Sequence, residues 1–454
     1  MPGPACSLLL AAFAASVVEA GVGADTEVAA GRAPVDYAGE AKNSASFTMV
    51  PGASVRRRSA DSTLMLSYTP RLYYRGPNAL AVDRPLVLHQ AGLTHNWDPG
   101  HAFSWTNGAQ VSIGQIDYTA AGVVFDETVS SAVRTSITDL FRATGTTGVR
   151  FAVGPRLSLT LDNAIEYTTT LDKTSVIPTP AAVAAGQAQT PGMGQSVFGS
   201  VIPDSFQVRT HPGLGYLIGR DMHFGTSLDF TYQWFKDTAR YLLISPDLFW
   251  DAKFGARTTL AISGGVSYLY TLDAVNPDER QNSLGGNGNI DLSTIVYRGL
   301  GTTATYGLDA SLEYFFDPIA GTSQPRAGAT TRMTLELGRQ WTLEPIAAFY
   351  TVLKTTRIFY LVDGAPLTED PNDPGGVTLQ QTIAPDATLV RLELPITYQA
   401  SESVGLSFGV RSTLRSRPIT DPDFKLNEQS EVWAFVGLTV RAATSSDHGA
   451  WLPL

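Results

Sequence analysis

Charged side chains in this chain recur at every second or fourth position of short alternating segments. In residues 157–167, Asp162 and Glu166 share one parity with Ser158 and Thr160, while the other parity is mainly apolar. Charges of both signs that face a water-filled space can guide ions or charged solutes, or they can pair and stiffen the wall that carries them. The set predicted to line such an interior is Arg71, Arg150, Asp162, Glu166, Asp229, Asp309, Glu313, Arg332, Glu336, Arg391, Glu393 and Arg411.

Patterns for catalysis and for metal binding are scarce. None of the six histidines lies in a hydrolase motif, and the chain has no His-Glu-x-x-His and no phosphate-binding loop. The single cysteine, Cys6, leaves no intrachain disulfide and no thiolate metal site. The net charge of −10 disfavours nucleic acid as a partner. We therefore predict no catalytic residue, no metal and no cofactor, and a hydrolase with its site on strands is a less favoured alternative.

Period-2 alternation is the strongest structural signal. Residues 148–171 hold two amphipathic segments joined by a reversal at residues 154–156, and similar hairpins recur along the chain. Short turns alternate with longer connections at 119–143, 172–203, 273–289, 356–386 and 416–429. The pattern predicts an all-β fold, a transmembrane antiparallel up-and-down β-barrel of about eighteen strands, or about sixteen if the segment before Thr63 does not pair. No plug domain is expected.

Composition agrees with a surface that faces lipid. Only 16% of the residues are charged, against about 25% in soluble domains. An array of secreted β-sandwiches is the less favoured alternative. Aromatic residues near strand ends predict interfacial girdles, or in part a sugar-stacking track inside a pore. They are Tyr74, Trp97, Trp234, Trp250, Phe316, Trp341 and Trp433.

The chain divides into three predicted parts. Residues 1–24 have the apolar run of a secretory signal, residues 25–443 form the barrel, and residues 444–454 are a C-terminal tail. An even number of strands would leave both termini in the periplasm. Prolines have no N–H for the ladder, so each one in a strand predicts a bulge or a strand end. They are Pro51, Pro70, Pro155, Pro212, Pro345 and Pro395.

Two of the long connections carry further patterns. Val133, Ile137, Leu140 and Phe141 have the spacing of a short amphipathic helix, which would pack on the inner wall or fold into the mouth. Residues 172–203 are rich in Ala, Gly and Pro. They could narrow a pore, although an ordinary surface loop is the favoured interpretation.

The succession of hairpins resembles porin-type outer-membrane barrels over nearly the whole of residues 25–443. More narrowly, TLMLSYTPRLYYR (63–75) and RPLVLHQAGLTHNW (84–97) resemble segments of the barrels of flippase/polymerase-dependent polysaccharide export. These resemblances imply an outer-membrane conduit for hydrophilic cargo. They also imply lipid, lipopolysaccharide, the barrel-assembly machinery and periplasmic export components as partners. A structural or adhesive surface barrel with a filled interior is the alternative.

Overall fold

The structure is a computed structural model, and strands make up almost all of the part of the chain that it describes. It describes residues 17–34, 41–76, 85–100, 102–117, 137–171, 204–236, 239–274, 282–317, 322–353, 388–416 and 428–443. No helix in these ranges is long and apolar enough to cross a membrane.

Twenty strand segments form where polar and apolar residues alternate and β-branched or aromatic residues are frequent. They are β1 (Val17–Pro34), β2 (Ala41–Arg58), β3 (Ser62–Tyr68), β4 (Arg71–Gly76), β5 (Leu86–Gly100), β6 (Phe103–Asp117), β7 (Ile137–Val153), β8 (Leu157–Thr170), β9 (Ser205–Ile218), β10 (Met222–Phe235), β11 (Ala239–Phe254), β12 (Thr258–Ala274), β13 (Ser283–Gly299), β14 (Thr302–Asp317), β15 (Thr322–Leu337), β16 (Trp341–Leu343), β17 (Ile346–Val352), β18 (Thr388–Ser401), β19 (Val404–Ser416) and β20 (Glu428–Ala443).

The segments form one closed antiparallel sheet. Each strand pairs with its neighbours in the chain, and β1 pairs with β20 from Gly21–Ala443 to Arg32–Val432. This last pairing joins the two ends of the sheet. The fold is therefore an up-and-down β-barrel, which excludes the alternative of separate β-sandwiches.

Two of the eighteen strands are interrupted by proline. β3 and β4 both pair with β2 and with β5, and the break between them falls at Thr69–Pro70. β16 and β17 both pair with β15 and β18, with a break at Glu344–Pro345. A proline cannot donate to the ladder, which accounts for both breaks. Twenty segments minus these two breaks leave eighteen strands, and the predicted number is confirmed.

The other prolines behave less uniformly. Pro155 lies in the turn between β7 and β8, at a strand end as predicted. Pro51, Pro212 and Pro395 lie inside strands, and Pro395 keeps its register opposite Gly409. The prediction of a bulge or strand end was wrong at these three positions, because the ladder with one neighbouring strand continues through each proline without a change of register.

The register gives every strand one inner and one outer face. On β8, the outer residues Leu159, Leu161 and Ile165 are 40–50% exposed, whereas Ser158 and Thr168 on the inner face are 6% and 5% exposed. Asp162 and Glu166 share the inner face with Ser158. Apolar side chains outside and polar ones inside are the arrangement of a transmembrane barrel and the reverse of a soluble protein.

The first strand begins before the predicted N-terminal boundary of the barrel. β1 begins at Val17, inside the predicted signal, and Val17–Ala24 pair with residues 51–58 of β2. Cleavage after residue 24 stays a prediction, and it would leave residues 25–34 of this strand. The predicted tail, residues 444–454, and Cys6 lie outside the described residues. β1 starts and β20 ends on the side of the short turns, as an even strand number requires.

The helix predicted from Val133 to Phe141 is wrong where it can be compared. Ile137, Leu140 and Phe141 belong to β7, with Leu140 fully buried on the inner face. A short apolar run can satisfy both the helical and the strand period, and pairing with β6 and β8 decides the outcome here. Val133 and residues 172–203 lie outside the described residues.

β13 and β14 are joined by a tight two-residue turn whose backbone is strained at its first residue. Leu300 and Gly301 have φ angles of 51° and 74°, as a type I′ turn requires at both central positions. Leu300 is fully exposed, so no packing offsets its left-handed conformation, which disfavours a branched-chain L-residue.

Leu300→Asn should therefore stabilise the barrel by about 1 kcal/mol, since asparagine tolerates the left-handed region that this turn imposes. The measurement is the temperature at which the folded band disappears in semi-native gel electrophoresis. Ala256→Gly, in the turn between β11 and β12, is the control and should bring no gain, because Ala256 is not among the residues with positive φ. A lower transition temperature for Leu300→Asn would contradict the proposed strain.

Candidate functional site: the charged inner wall

The register places all of the charged residues predicted to line an interior on the inner face. Arg71, for example, shares that face with Tyr73 and Arg75 of β4, and Asp309 lies directly opposite Asp291 of β13. Their inward position follows from strand alternation alone. Whether they guide a solute stays a prediction, because most of them have partners in the wall.

The first group of partners lies where the sheet closes. Arg411 of β19 donates to both carboxylate oxygens of Glu27 on β1, at 3.0 and 2.9 Å. Its Nε lies 3.2 Å from Glu393 on β18, which also accepts from Arg391 at 2.8 and 2.6 Å. This Arg391–Glu393–Arg411–Glu27 network spans the junction of the first and last strands. Glu27 was not among the predicted residues, although its alternation with the outward Val28 is a usable signal.

The second group of partners surrounds Trp433, which was predicted to belong to an interfacial girdle. Trp433 of β20 is 7% exposed on the inner face, where its Nε1 donates to Glu431 at 3.0 Å and the Arg75 guanidinium lies 5.4 Å from its ring centre. Arg75 also lies 3.7 Å from Glu431. Trp433 is therefore part of the inner wall and not of an interfacial girdle. The alternation of Glu431 and Trp433 with the outward Val432 already indicates this face.

The third group lies on β9 and β10. Arg209 forms an ion pair with Asp229, which also accepts from Thr231 at 2.7 Å and lies 3.6 Å from His211. Ion pairs elsewhere on the wall join Arg142 to Glu166 at 2.8 Å, Arg326 to Glu313 at 2.7 Å and Arg332 to Glu344 at 3.2 Å. Much of the inner wall is thus neutralised by its own partners.

A cavity at the short-turn end of the barrel is the exception. This mouth cavity, about 410 Å³ in volume, lies between β7 and β13 and carries Arg150, Lys253, Asp251 and Asp291. In the part of the chain that the structure describes, no ion pair involves Arg150, Lys253 or Asp291. Charges of both signs are therefore available here to a solute that enters or leaves the barrel.

Three residues of the same cavity have the composition of a hydrolytic triad. Ser158 Oγ lies 3.4 Å from His223 Nε2, and His223 Nδ1 lies 3.7 Å from Asp251 Oδ2. Ser158 is only 6% exposed, and it is paired on both sides, with Ala152 and Gly215. Backbone N–H groups in a ladder are not free to stabilise an oxyanion. The geometry therefore supports a polar contact across the wall and not a nucleophile.

One pentapeptide has the Gly-x-Ser-x-Gly pattern of a nucleophile elbow, at residues 405–409. In esterases the serine of such a motif stands on a sharp turn between a strand and a helix. Here Ser407 lies inside β19, paired with Thr397 on one side and Gly437 on the other. The motif is a coincidence of strand sequence and supplies no catalytic turn.

Most of the predicted girdle residues lie on the outer face. Trp97 packs edge-on against Phe103 and Trp105 near a short turn, and Trp341 packs against Tyr398 at 4.7 Å. The register also gives Tyr74, Trp234 and Trp250 outer positions. These placements suit the boundary between lipid and water, while their role there stays a prediction.

Phe316 differs from that group. Its ring lies 5.9 Å from Tyr241, which is buried on the inner face. With Tyr314 it packs against an inner apolar cluster, defined as Phe235, Ala239, Tyr241, Leu243, Leu269 and Ala274. Phe316 is therefore not an exposed girdle residue, although its parity in β14 predicted an outer position.

Among the residues that the structure describes, no group of three or more His, Cys, Asp or Glu is arranged to hold a metal ion. The absence of a cofactor stays a prediction.

Comparisons with known proteins give overall likeness only. No family model matches the chain, and no curated protein matches it. Among solved structures, a BenF-like porin from Pseudomonas fluorescens Pf-5 is 11% identical, with a TM-score of 0.42 over 94% of this chain and 99% of that one. Pseudomonas aeruginosa OccK2 (OpdF) in complex with glucuronate is 11% identical, with a TM-score of 0.41 over 93% and 98%.

The ferric enterobactin receptor PfeA of Pseudomonas aeruginosa has a similar score, 0.42 at 9% identity over 94% of this chain and 81% of that one. Porins and a ferric enterobactin receptor therefore resemble this chain about equally. At this level of similarity none of them indicates what the chain binds or carries.

The closure network, defined as Arg391, Glu393, Arg411 and Glu27, should contribute measurably to the stability of the barrel. Arg411→Ala removes the bonds from β19 to β1 and β18 and leaves Glu27 without this partner. We expect the free energy of unfolding to fall by about 1–2 kcal/mol, because bonds to charged groups are stronger than neutral ones. The measurement is urea unfolding in detergent, followed by tryptophan fluorescence.

Arg332→Ala is the matched control. Arg332 is 57% exposed on its side chain, and within the described ranges its ion-pair partner is Glu344, so its replacement should lower the free energy of unfolding by about 0–1 kcal/mol. If the free energy of unfolding fell equally in the two variants, the closure network would contribute no more than an isolated exposed ion pair.

Proposed function

We propose that this protein is an outer-membrane pore, a passive conduit for small hydrophilic solutes. The observation that carries the proposal is the closed barrel of eighteen strands with an apolar outer face and a charged inner face. Barrels of about 16–18 strands are wide enough to leave an aqueous channel. A polar interior of that width is the expected wall of such a channel.

The pairing of the charges supports weak rather than strong selectivity. Arg411, Arg391 and Arg209 are each joined to a carboxylate, so their fields largely cancel in the lumen. The mouth cavity keeps charges of both signs without such partners. Ion preference should therefore be set mainly by this end of the barrel.

One observation favours the second candidate, a structural barrel with a filled lumen. On β10 to β12, inward residues such as Gln233, Tyr241 and Ser267 are 4%, 1% and 1% exposed. This sector of the wall is packed, and a lumen filled in the same way all round would conduct nothing. The open alternative is supported by exposed inward residues elsewhere, such as Asp162 and Arg150.

Ion current through planar bilayers separates the two candidates. We expect the purified protein to give stepwise conductance increases, because the charged inner face would hold a continuous water column. A protein that is folded by its heat-modifiable mobility, yet gives no current at any voltage tested, would overturn the pore.

Asp291→Lys should shift the preference of the pore towards anions, since it reverses a charge in the mouth cavity. The measurement is the reversal potential in a salt gradient. Asp61→Lys is the control, because Asp61 lies exposed in the turn between β2 and β3, and it should leave the reversal potential nearly unchanged. The same shift in both variants would assign the effect to the surface charge of the barrel and not to the cavity.

We propose more narrowly that the cargo is a saccharide, with export of a surface polysaccharide as the specific case. The support is the likeness of residues 63–75 and 84–97 to barrels of that export pathway. Lipopolysaccharide, the barrel-assembly machinery and periplasmic export components are the partners that go with this proposal. A deletion strain should lose surface polysaccharide, and an unchanged polysaccharide layer would reject the narrower proposal alone.

A further inference from the structure

The ladder between β13 and β14 stops before either strand ends. Their pairing runs from Gly299–Thr302 to Gly288–Leu312. Beyond this point β13 continues to Ser283, paired with β12, and β14 continues to Asp317, paired with β15. We call the two facing stretches, Ser283–Asn287 and Glu313–Asp317, the seam. Among the described residues, no ladder pairing joins the two sides of the seam.

An unpaired strand edge is costly where it meets hydrocarbon. Backbone N–H and C=O groups in a bilayer must be satisfied within the protein or by water. The outward residues next to the seam are apolar and exposed, with Leu284 at 69%, Leu272 at 56% and Tyr270 at 38%. Such a surface is suited to acyl chains and not to water. The seam therefore interrupts the wall at a place where exposed apolar side chains lie on its outer surface.

Two aromatic side chains cross the wall at this place. Tyr314 and Phe316 have the outer parity of β14, opposite Pro325 and Ser323 of β15. Yet the Tyr314 hydroxyl lies 3.0 Å from the Ser283 hydroxyl, and Phe316 packs against Tyr241. Ser283 and Tyr241 are both inner-face residues, so the two rings pass through the seam from outside to inside.

Glycine provides the room for this crossing. A Cβ on Gly285 would lie 2.9 Å from the Tyr314 hydroxyl, which is closer than real Cβ contacts allow. The strand that borders the seam contains Gly285, Gly286 and Gly288 within four residues. These glycines of β13 therefore present no side chain to the two rings.

The seam opens inwards onto the inner apolar cluster. Phe235, Leu243 and Leu269 of this cluster are buried on the inner face. Tyr314 and Phe316 join the cluster to the outer surface. A continuous apolar track therefore leads from the lumen side of the wall to the lipid side. The Glu313–Arg326 ion pair lies at its inner edge, with Glu313 47% exposed on its side chain.

We propose that the seam is a lateral passage through which a molecule with one hydrocarbon chain and a charged head moves between the lumen and the outer leaflet. The chain would follow the apolar track, while the head stays with the charged groups of the lumen. Tyr314 and Phe316 hold the passage shut in the structure described here. This activity goes beyond the aqueous pore and depends only on the barrel, so each can fail without the other.

A disulfide across the seam tests the passage directly. Gly286→Cys with Tyr314→Cys, on a Cys6→Ser background, joins the positions that would be partners if the ladder continued. Ile290→Cys with Ala310→Cys is the matched control, since those two residues are already paired. The probes are a fluorescent dodecyl sulfonate, whose permanent charge stops it from crossing a bilayer unaided, and arabinose. Entry of each into proteoliposomes is measured with the disulfide formed and then reduced.

We expect the seam disulfide to lower entry of the dodecyl sulfonate at least tenfold, with recovery on reduction and with arabinose entry unchanged. The control disulfide should change neither rate. The proposal is overturned if the wild-type protein admits no dodecyl sulfonate, if entry is the same in both redox states, or if both solutes slow together.

A second variant covers the case in which the disulfide does not form. Phe316→Ala removes a ring that closes the seam and should raise dodecyl sulfonate entry several-fold, while arabinose entry is unchanged. Phe408→Ala removes an aromatic ring from the outer face of β19, away from the seam, and should have no effect. Unchanged entry in folded Phe316→Ala would reject the passage.

Discussion

The structure depends on one constraint, that a chain crossing a bilayer must satisfy its own backbone hydrogen bonds. Pairing of β1 with β20 meets this constraint by removing the two free edges that eighteen strands would otherwise present. The join brings together residues from opposite ends of the chain, so it carries a large loop-closure cost. Arg411 and Glu27, 384 positions apart, reinforce it with a two-pronged ion pair on the inner face.

The same constraint organises the inner wall. Strand alternation places charged side chains inside at regular intervals, and pairing with one another offsets part of the cost of bringing them together. Among the described residues, Arg150, Lys253 and Asp291 of the mouth cavity, at the short-turn end, take part in no ion pair. At the opposite end the ladder itself is incomplete, and the side chains of Tyr314 and Phe316 occupy the place of backbone pairing. Hydrophilic solutes and single-chain amphiphiles would thus use different parts of one wall.

Much of the fold was predictable, because a strand's two faces follow from its period of two. The inward placement of Asp162, Glu166 and Glu393 needed nothing more than parity. Trp433 was misplaced although the sequence held the signal, since Glu431 and Trp433 alternate with Val432 and Ala434 around a polar inner face. Its aromatic character and its position near a strand end outweighed that signal. Phe316 is different, because its parity is correctly read and the side chain crosses the wall at the seam.

The sequence by itself determined the strands, their faces, their short turns and the even number that closes the sheet, since these follow from local backbone geometry. Only the tertiary structure decided the partners of the charges, the packing of Ser158 beside His223 and the place where β13 parts from β14. Those features depend on the register between strands, and register is set by contacts between residues far apart in the chain. Local alternation is the same for every register that differs by two residues, so it cannot distinguish among them.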